Sequence, residues 1–376
     1  MRIAIVTLPL HTNYGGILQA YALQTVLEKM GHEVEHLQPK VVFPKLHPIW
    51  KMPLVFCKRA FRKFFCGEFK TPIFTHPHKW MRKHTDVFIH KYINNRFVEL
   101  AEWDEKNASS YDAVIFGSDQ VWRPRYAYPI ERYFGSFLGG SSAKRVAYAA
   151  SFGTENNEYS TEQQDNCSML LKQFAGISVR ENSAVDMCKS MFGVDATHVL
   201  DPTLLLSKED YLKLMKQNRL PKSKGGLAVY VLDESDEISG FVDRTAQKLG
   251  LTPFRTNSKV EDGNAPLVER QQPPLEQWLR SFYDAEFVIT DSFHACVFSI
   301  IFQKPFICIG NKERGMARFS SLLSIFGLED RLVISIDEFK ADEAILMNGI
   351  DYEHVNSIIE EKHKASIAFL QYSLNL

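Results

Sequence analysis

The segment "EFVITDSFHACVFSIIF" carries one titratable residue, His294, at the start of a helix that is apolar on almost every face. Asp291 is a suitable N-cap, which places Ser292 and His294 in the first helical turn. Free N–H groups and the helix dipole favour anions at this position. His294 is therefore a candidate general acid that a bound anion would keep protonated, and the alternative is a neutral histidine of the core.

Three arginines are candidate ligands for such an anion. Arg180 ends the apolar run in "GISVRE" and could hold a carboxylate or phosphate through two hydrogen bonds, or pair with Glu181. Arg314 and Arg318 lie in "NKERGMARF" and are either an anion clamp or surface charge. Asp119 in "FGSDQVW" could accept a proton from a hydroxyl group or form an Asx turn.

Two adjacent glycines follow the first apolar run in "LHTNYGGILQAYALQ". The segment has neither the GxGxxG spacing of a dinucleotide site nor the GxxxxGK[ST] spacing of a phosphate loop. A tight turn at Gly15 and Gly16 would bring the backbone close to an anion or a sugar hydroxyl, or would be needed for backbone geometry alone. His11 and Asn13 are candidate substrate-binding residues beside this turn.

The elements that would position these residues form two α/β series. The first reads strand, glycine turn, helix, strand, and continues through several short buried runs to "HVLDPTLLL". After the polar linker "QNRLPKSKGG" a second series alternates strands and helices up to "KPFICIG". We predict two Rossmann-like domains facing across a cleft, with boundaries at 1–218 and 219–340, and a helical segment over 341–376.

The first domain contains a basic, aromatic-rich insertion over about residues 40–96. Residues 40–96 hold 13 Lys and Arg but two acids, against a net charge of −1 for the whole chain. A helical projection of "FCKRAFRKFF" separates the aromatic residues from four cations: Lys58, Arg59, Arg62 and Lys63. That segregation fits a helix on an anionic membrane surface, while nucleic-acid binding and packing on the parent domain are the alternatives.

The cysteine spacing and the apolar stretches of the sequence argue against disulfide-rich, metal-binding and membrane-spanning proteins. The six cysteines form no CxxC pair, which predicts reduced thiols, and no metal-binding cluster is visible. No apolar stretch reaches the length of a transmembrane helix, and the first residues do not read as a cleavable signal. We expect a cytoplasmic protein.

Six motifs occur in the order found in bacterial polysaccharide pyruvyl transferases, and the sequence resembles that family over nearly its whole length. They are "IAIVTLPLHTNYGGILQAYALQ", "VIFGSDQVW", "ISVRE", "LDPTLLL", "ITDSFHACVFSIIFQKPFI" and "RGMARFSSLL". The resemblance implies a fold like the two-domain GT-B glycosyltransferases, phosphoenolpyruvate as donor and a sugar as acceptor. The product would be a pyruvate ketal, commonly across O4 and O6 of a hexose in a capsule or cell-wall glycan.

The resemblance also implies roles for individual residues. Arg180 looks like the donor-binding arginine, and His294 looks like the catalytic histidine. Many members have an arginine two residues before that histidine, where this chain has Ser292. Arg314, Arg318 or Lys304 would then have to contact the donor phosphate. Asp119 and His11 are candidate bases.

The resemblance implies no cofactor and leaves open a divalent ion at the phosphate. The acceptor would be assembled on a polyprenyl diphosphate carrier, so we expect an enzyme peripheral to the inner face of the cytoplasmic membrane and no nucleic-acid partner. Two other functions remain open at this point. One is a GT-B glycosyltransferase that uses a nucleotide sugar, and the other is a non-catalytic scaffold in glycan assembly.

Overall fold

The structure is a computed structural model, and it describes residues 1–40, 49–67, 73–98, 104–216, 220–310, 315–339 and 343–375. The expected boundaries at 218/219 and 340/341 both fall outside these ranges.

In the described residues, seven parallel strands form the first sheet in the order β3-β2-β1-β4-β5-β6-β7. They are β1 Arg2–Val6, β2 Glu33–Pro39, β3 Asn95–Val98, β4 Ala113–Phe116, β5 Lys144–Ala150, β6 Gly176–Val179 and β7 Thr197–His198. The central strands are buried on both faces, which is why they read as short apolar runs without alternation.

Five further parallel strands form a second sheet in the order β12-β11-β10-β8-β9 within the described part of the chain. They are β8 Leu227–Tyr230, β9 Pro253–Arg255, β10 Phe287–Thr290, β11 Phe306–Ile309 and β12 Leu332–Val333. Both sheets are parallel, so each brings the loops that follow its strands to one edge.

Helices cover both sheets. Those that precede residue 217 are α1 Tyr14–Lys29, α2 Met52–Phe65, α3 Pro77–Met81, α4 Lys83–Tyr92, α5 Glu105–Ala108, α6 Thr161–Leu171, α7 Asn182–Phe192 and α8 Lys208–Lys216. Those that follow are α9 Asp236–Leu249, α10 Leu275–Asp284, α11 Phe293–Ile301, α12 Met316–Phe326, α13 Ile336–Phe339 and α14 Tyr352–Leu374.

Helix α1 begins earlier than the sequence indicates. Asn13 is its N-cap and accepts a hydrogen bond from the Gly16 N–H at 3.2 Å, so Gly15 and Gly16 lie inside the first turn of the helix. The expectation of a tight turn before a helix starting near residue 17 is therefore wrong. Neither glycine has a positive φ, so the backbone conformation does not require glycine at these two positions. The residues that pack against α1 must explain them.

Helix α11 begins one residue later than it would if Asp291 were its N-cap. The N-cap residue is Ser292, and the carboxylate of Asp291 instead accepts hydrogen bonds from the N–H groups of Leu232 and Asp233 at 2.7 and 3.0 Å. Asp291 thus ties the end of β10 to the loop after β8. His294 still falls in the first turn of α11.

The last helix, α14, joins the two sheets. Near its start, the Tyr352 hydroxyl donates to the backbone oxygen of Lys304, which precedes β11, at 2.6 Å. Near its end, the Ser366 hydroxyl accepts from the Leu200 N–H at 3.1 Å, and Leu370 is fully buried. The two sheets are therefore held in one relative orientation by a helix that contacts both.

Candidate functional site between the two sheets

A buried carboxylate, Asp201, lies at the centre of the site. One oxygen, Oδ2, accepts hydrogen bonds from Arg180 Nη1 at 2.8 Å and from the Ser118 hydroxyl at 3.0 Å. The other, Oδ1, accepts from the N–H and hydroxyl of Thr203 at 3.0 and 2.6 Å. The Nε2 of His294 lies 3.7 Å from Oδ2. Asp201 therefore links a residue after β4, a residue after β6 and the start of α11.

The surrounding donors determine the ionisation of Asp201. Burial alone would raise its pKa, because a carboxylate is poorly solvated away from water. His294, Arg180 and Thr203 outweigh this effect and hold the pKa of Asp201 well below its ordinary value. The residue is thus a carboxylate at neutral pH.

The buried Arg180 side chain has N–H groups that do not form hydrogen bonds with the described residues. Its Nε lies 3.6 Å from Glu181, but its short contact is to Asp201, so the neighbouring glutamate is the weaker partner. Its Nε and Nη2 are buried and have no hydrogen-bond partner among the described residues. A buried donor without a partner costs roughly 1–3 kcal/mol, so such a group is normally satisfied by a protein atom, a water or a ligand.

His294 is buried against helix α1. A methyl group added to Gly15 would overlap its imidazole ring at Nδ1, so only a glycine permits α1 and α11 to come this close. The other ring nitrogen, Nε2, faces Asp201 and is buried without a hydrogen-bond partner in the part of the chain that is described. Gly15 therefore provides room for His294, while a methyl group on Gly16 would meet Asp119 and Asn13 instead.

A second arginine lies beside the first. The guanidinium carbons of Arg180 and Arg318 lie 4.5 and 5.9 Å from the centre of the Phe293 ring, and both side chains are buried. Burial lowers the pKa of Arg318 to about 10, and the positive charge of Arg180 contributes. Two cations held together in this way favour a ligand with two negative groups.

Asp119 is held in an unusual backbone conformation. Its φ is 80°, in the left-handed region that non-glycine residues rarely adopt. Its Oδ1 accepts from the N–H of Gln120 at 2.9 Å, and a methyl group on Gly16 would lie 3.2 Å from its Oδ2. The strained turn thus places the Asp119 carboxylate beside Gly16 in the first turn of α1.

The remaining candidate ligands have different surroundings. The His11 side chain is exposed; the protein around it and the positive charge of Arg82 lower its pKa. Asn13 caps α1, as described above. Ser292 is half-buried and makes no capping hydrogen bond with its side chain. Arg314 lies outside the described residues.

A cavity of about 230 Å³ with a mixed polar and apolar lining opens at Leu10, the chain neighbour of His11. It is lined by the loop after β1, the end of β2, β3 and α4, with Leu10, Gln38, Arg82, Asp86 and His90 among its walls. Arg82 donates to Asp86 at 2.8 Å and to the backbone oxygen of Leu10 at 3.2 Å, so the charged wall is fixed in place.

Contacts on either side hold the second sheet against the site. The Tyr14 hydroxyl donates to the backbone oxygen of Pro273 at 2.7 Å, and the Gln272 amide donates to that of Thr12 at 2.8 Å. Gly315 approaches Gly153 so closely that a methyl group on it would overlap the Gly153 carbonyl. The site is therefore enclosed between the two domains.

The four cations predicted to face a membrane lie on or beside α2, far along the chain from Asp201. Lys58, Arg62 and Lys63 are at least partly exposed. Arg59 differs, because its Nη1 donates to the backbone oxygens of Ile73 and Thr75 at 3.2 and 3.0 Å. Its charge is thus used to attach residues 73–75 to the helix.

Comparison with known proteins identifies the family. The family model described as polysaccharide pyruvyl transferase matches residues 13–313. The chain belongs to this family. The resemblance drawn from the six motifs is thereby confirmed, and this protein is a transferase.

A solved structure with a TM-score of 0.50 supports the GT-B-like fold of this transferase. Staphylococcus aureus MnaA, solved with UDP, is 11% identical with a TM-score of 0.50, covering 100% of this chain and 97% of its own. Acinetobacter baumannii MurG is 9% identical with a TM-score of 0.45, covering 96% and 94% of the two chains. At such identities the likeness concerns the fold alone. No curated protein sequence matches the transferase.

Two further observations concern metal binding and membrane-spanning helices. Among the described residues, no three His, Cys, Asp or Glu side chains are arranged to bind a metal ion. No helix in the described ranges has both the length and the apolar character needed to cross a membrane.

We expect Asp201→Asn to destabilise the transferase by about 3 kcal/mol, because it removes the closest counter-charge of the buried Arg180 and leaves the weaker pair with Glu181 at 3.6 Å. Urea unfolding measures this loss. The folded-state pKa of Asp201 is depressed, so its contribution is complete above the unfolded value of about 3.9 and is lost as the pH falls below it. Asp195→Asn, which removes an exposed 2.8 Å pair with Lys189, should change stability by less than about 1 kcal/mol.

We expect Gly15→Ala to lower stability by roughly 1–3 kcal/mol, because the new methyl group forces α1 and α11 apart at His294. The melting temperature measures the effect. Gly349→Ala is the control, since nothing lies within 4 Å of the added methyl group. Equal melting temperatures for Gly15→Ala and the wild type would contradict the packing role of Gly15.

Proposed function

We propose that this transferase moves the pyruvyl group of phosphoenolpyruvate onto two hydroxyls of one hexose, which forms a pyruvate ketal and releases phosphate. Two buried donors without partners carry the proposal: Nη2 of Arg180 and Nε2 of His294. Arg180 Nη1 and His294 Nε2 both lie near the same oxygen of Asp201, so the two side chains belong to one site. A small dianion or trianion would satisfy them.

The donor would bind through its two acidic groups. Arg180 and Arg318, both close to the Phe293 ring, would hold the carboxylate and the phosphate of phosphoenolpyruvate. Arg318 would then take the place of the arginine that the family commonly has where this chain has Ser292. The same cations would stabilise the charge that develops on the departing phosphate.

His294 would act as the general acid. Protonation of C3 converts the methylene group into a methyl group and makes C2 electrophilic, so one acceptor hydroxyl can form a bond to C2. The bond from C2 to the phosphate oxygen then breaks, and the second hydroxyl closes the ketal. The two acceptor hydroxyls together lose two protons. In the net reaction one of these protons is gained by C3 and the other by the released phosphate. Asp201, 3.7 Å from Nε2, would orient the imidazole.

The acceptor hexose would occupy the cavity between the loop after β1 and helix α4. The cavity adjoins Leu10, and His11 interacts electrostatically with both Arg82 in its wall and Asp119 at the site. The lowered pKa of His11 keeps its imidazole neutral near pH 7, the form that can accept a proton. Asp119 or His11 would therefore receive the hydroxyl proton.

We further propose that the hexose belongs to a capsule or cell-wall precursor carried on a polyprenyl diphosphate, and that the enzyme acts at the cytoplasmic membrane surface. The basic, aromatic-rich insertion supports this placement, because α4 of the insertion lines the cavity and α2 of the same insertion is exposed.

The test is phosphate release from phosphoenolpyruvate with a panel of hexosides, carried out in D2O and followed by NMR of the product. Protonation at C3 predicts one deuteron in the ketal methyl group. Glycosyl transfer from a nucleotide sugar, without phosphate release from phosphoenolpyruvate, would replace the proposal with a glycosyltransferase. No turnover of either donor with any acceptor would favour a scaffold.

We expect His294→Asn to lower kcat by about 10²–10⁴-fold, because the proton donor to C3 is removed. The affinity for phosphoenolpyruvate should change much less, since Arg180 and Arg318 remain. Discontinuous phosphate-release assays measure kcat, and equilibrium binding measures the affinity for phosphoenolpyruvate. His354→Asn, at an exposed position on α14, is the control and should behave as the wild type. Full turnover by His294→Asn would contradict the role of general acid.

A further inference from the structure

Helix α2 is exposed along its whole length. None of its residues is buried, although it carries five aromatic or large aliphatic side chains in 14 residues. Together with its flanks it presents six large apolar side chains that are more than half exposed: Trp50, Leu54, Phe61, Phe64, Phe65 and Phe74. Single exposed apolar residues are ordinary on a protein surface, but a contiguous group of this size marks an interaction site.

The aromatic side chains are organised on the surface. The rings of Phe61 and Phe65 stack with their centres 5.1 Å apart, and those of Phe56 and Phe74 meet edge to face at 5.1 Å. Arg59 holds the segment of Phe74 against the helix through the backbone oxygens of Ile73 and Thr75. The aromatic patch, Trp50 to Phe65 with Phe74, is thus built as one unit, and Arg59 is an internal part of it.

The charge around the aromatic patch has one sign. Residues 49–67 include five Lys and Arg and no Asp or Glu. With Arg59 used internally, Lys51, Lys58, Arg62 and Lys63 remain, and Lys51 lies 4.8 Å from the centre of the Trp50 ring. Long basic side chains next to exposed Phe and Trp rings fit the boundary between lipid headgroups and acyl chains, where rings enter the apolar layer and cations reach the phosphates.

We propose that the aromatic patch and its cations bind the surface of an anionic phospholipid bilayer, with α2 lying in the plane of the interface. A nucleic acid would match the cations but would leave six apolar side chains in water. This membrane proposal adds a location to the proposed function. The identity of the acceptor as a lipid-linked hexose rests on that proposed function. The membrane proposal places the cavity wall formed by α4 and the membrane-bound α2 within the same insertion, residues 40–96.

The experiment is co-sedimentation of the full chain with vesicles of phosphatidylglycerol and phosphatidylcholine, and with vesicles of phosphatidylcholine alone. We expect binding to the anionic vesicles only. The triple change Lys58→Gln, Arg62→Gln and Lys63→Gln should weaken partitioning by roughly 100-fold, because each cation near an anionic surface contributes a factor of about five. The triple change Phe61→Ser, Phe64→Ser and Phe65→Ser should abolish binding.

Matched triple variants on other surfaces provide the controls. Lys172→Gln, Lys216→Gln and Lys364→Gln remove three exposed cations elsewhere, and Ile334→Ser, Met347→Ser and Tyr372→Ser remove three exposed apolar side chains. Both should bind vesicles as the wild type does. All α2 variants should keep wild-type phosphate release with a soluble hexoside, so loss of membrane binding is distinguishable from loss of the proposed activity.

Three results would overturn the proposal. The first is wild-type partitioning by either α2 variant, and the second is no wild-type binding to anionic vesicles. The third is self-association of the wild type that the Phe variant abolishes while vesicle binding stays unchanged, which would assign the aromatic patch to an interface between copies of the chain.

Discussion

The ionised carboxylate of Asp201 is the interaction on which the rest of the site depends. Arg180 can be buried between the two domains because Asp201 neutralises it at 2.8 Å, and the same oxygen lies near His294. Without that carboxylate, Arg180 would lose its closest counter-charge, and the carboxylate of Glu181 at 3.6 Å would be its nearest remaining partner. Glu181 and Asp119 also interact electrostatically with Arg318, so the site combines two buried arginines with three carboxylates.

Close backbone approach is the second constraint, and it acts between domains. Gly15 on α1 admits the imidazole of His294 from α11, and Gly153 in the first domain admits Gly315 from the second. The hydrogen bonds of Tyr14 and Gln272 reinforce the same interface. The candidate histidine His294, supplied by one domain, is thereby positioned against groups supplied by the other, so the two-sheet fold assembles one enclosed site.

The sequence indicated the fold and the two central residues, because buried parallel strands and a helix N-terminus leave local patterns. Arg180 directly follows β6, and His294 lies in the first turn of the helix that follows β10. Asp201, Ser118 and Thr203 were missed, since their importance comes from contacts between residues up to 93 positions apart, as from Asp201 to His294. The Asp-Pro-Thr sequence at 201–203 was a usable signal, because it is typical of a capped turn and Asp201 does accept from the Thr203 N–H. The role of Gly15 could not be predicted, because it depends on a partner 279 positions away in the chain.

The most direct test of this account is whether the site binds phosphoenolpyruvate. The melting temperature should be measured with phosphoenolpyruvate, with inorganic phosphate and with UDP- and CMP-sugars, for the wild type and for Arg318→Gln. At about 100 times its dissociation constant a ligand stabilises the folded protein by roughly 2.7 kcal/mol, which is visible as a higher melting temperature. The account predicts that phosphoenolpyruvate raises it more than phosphate does, and that Arg318→Gln loses this effect. A rise with a nucleotide sugar and none with phosphoenolpyruvate would contradict it.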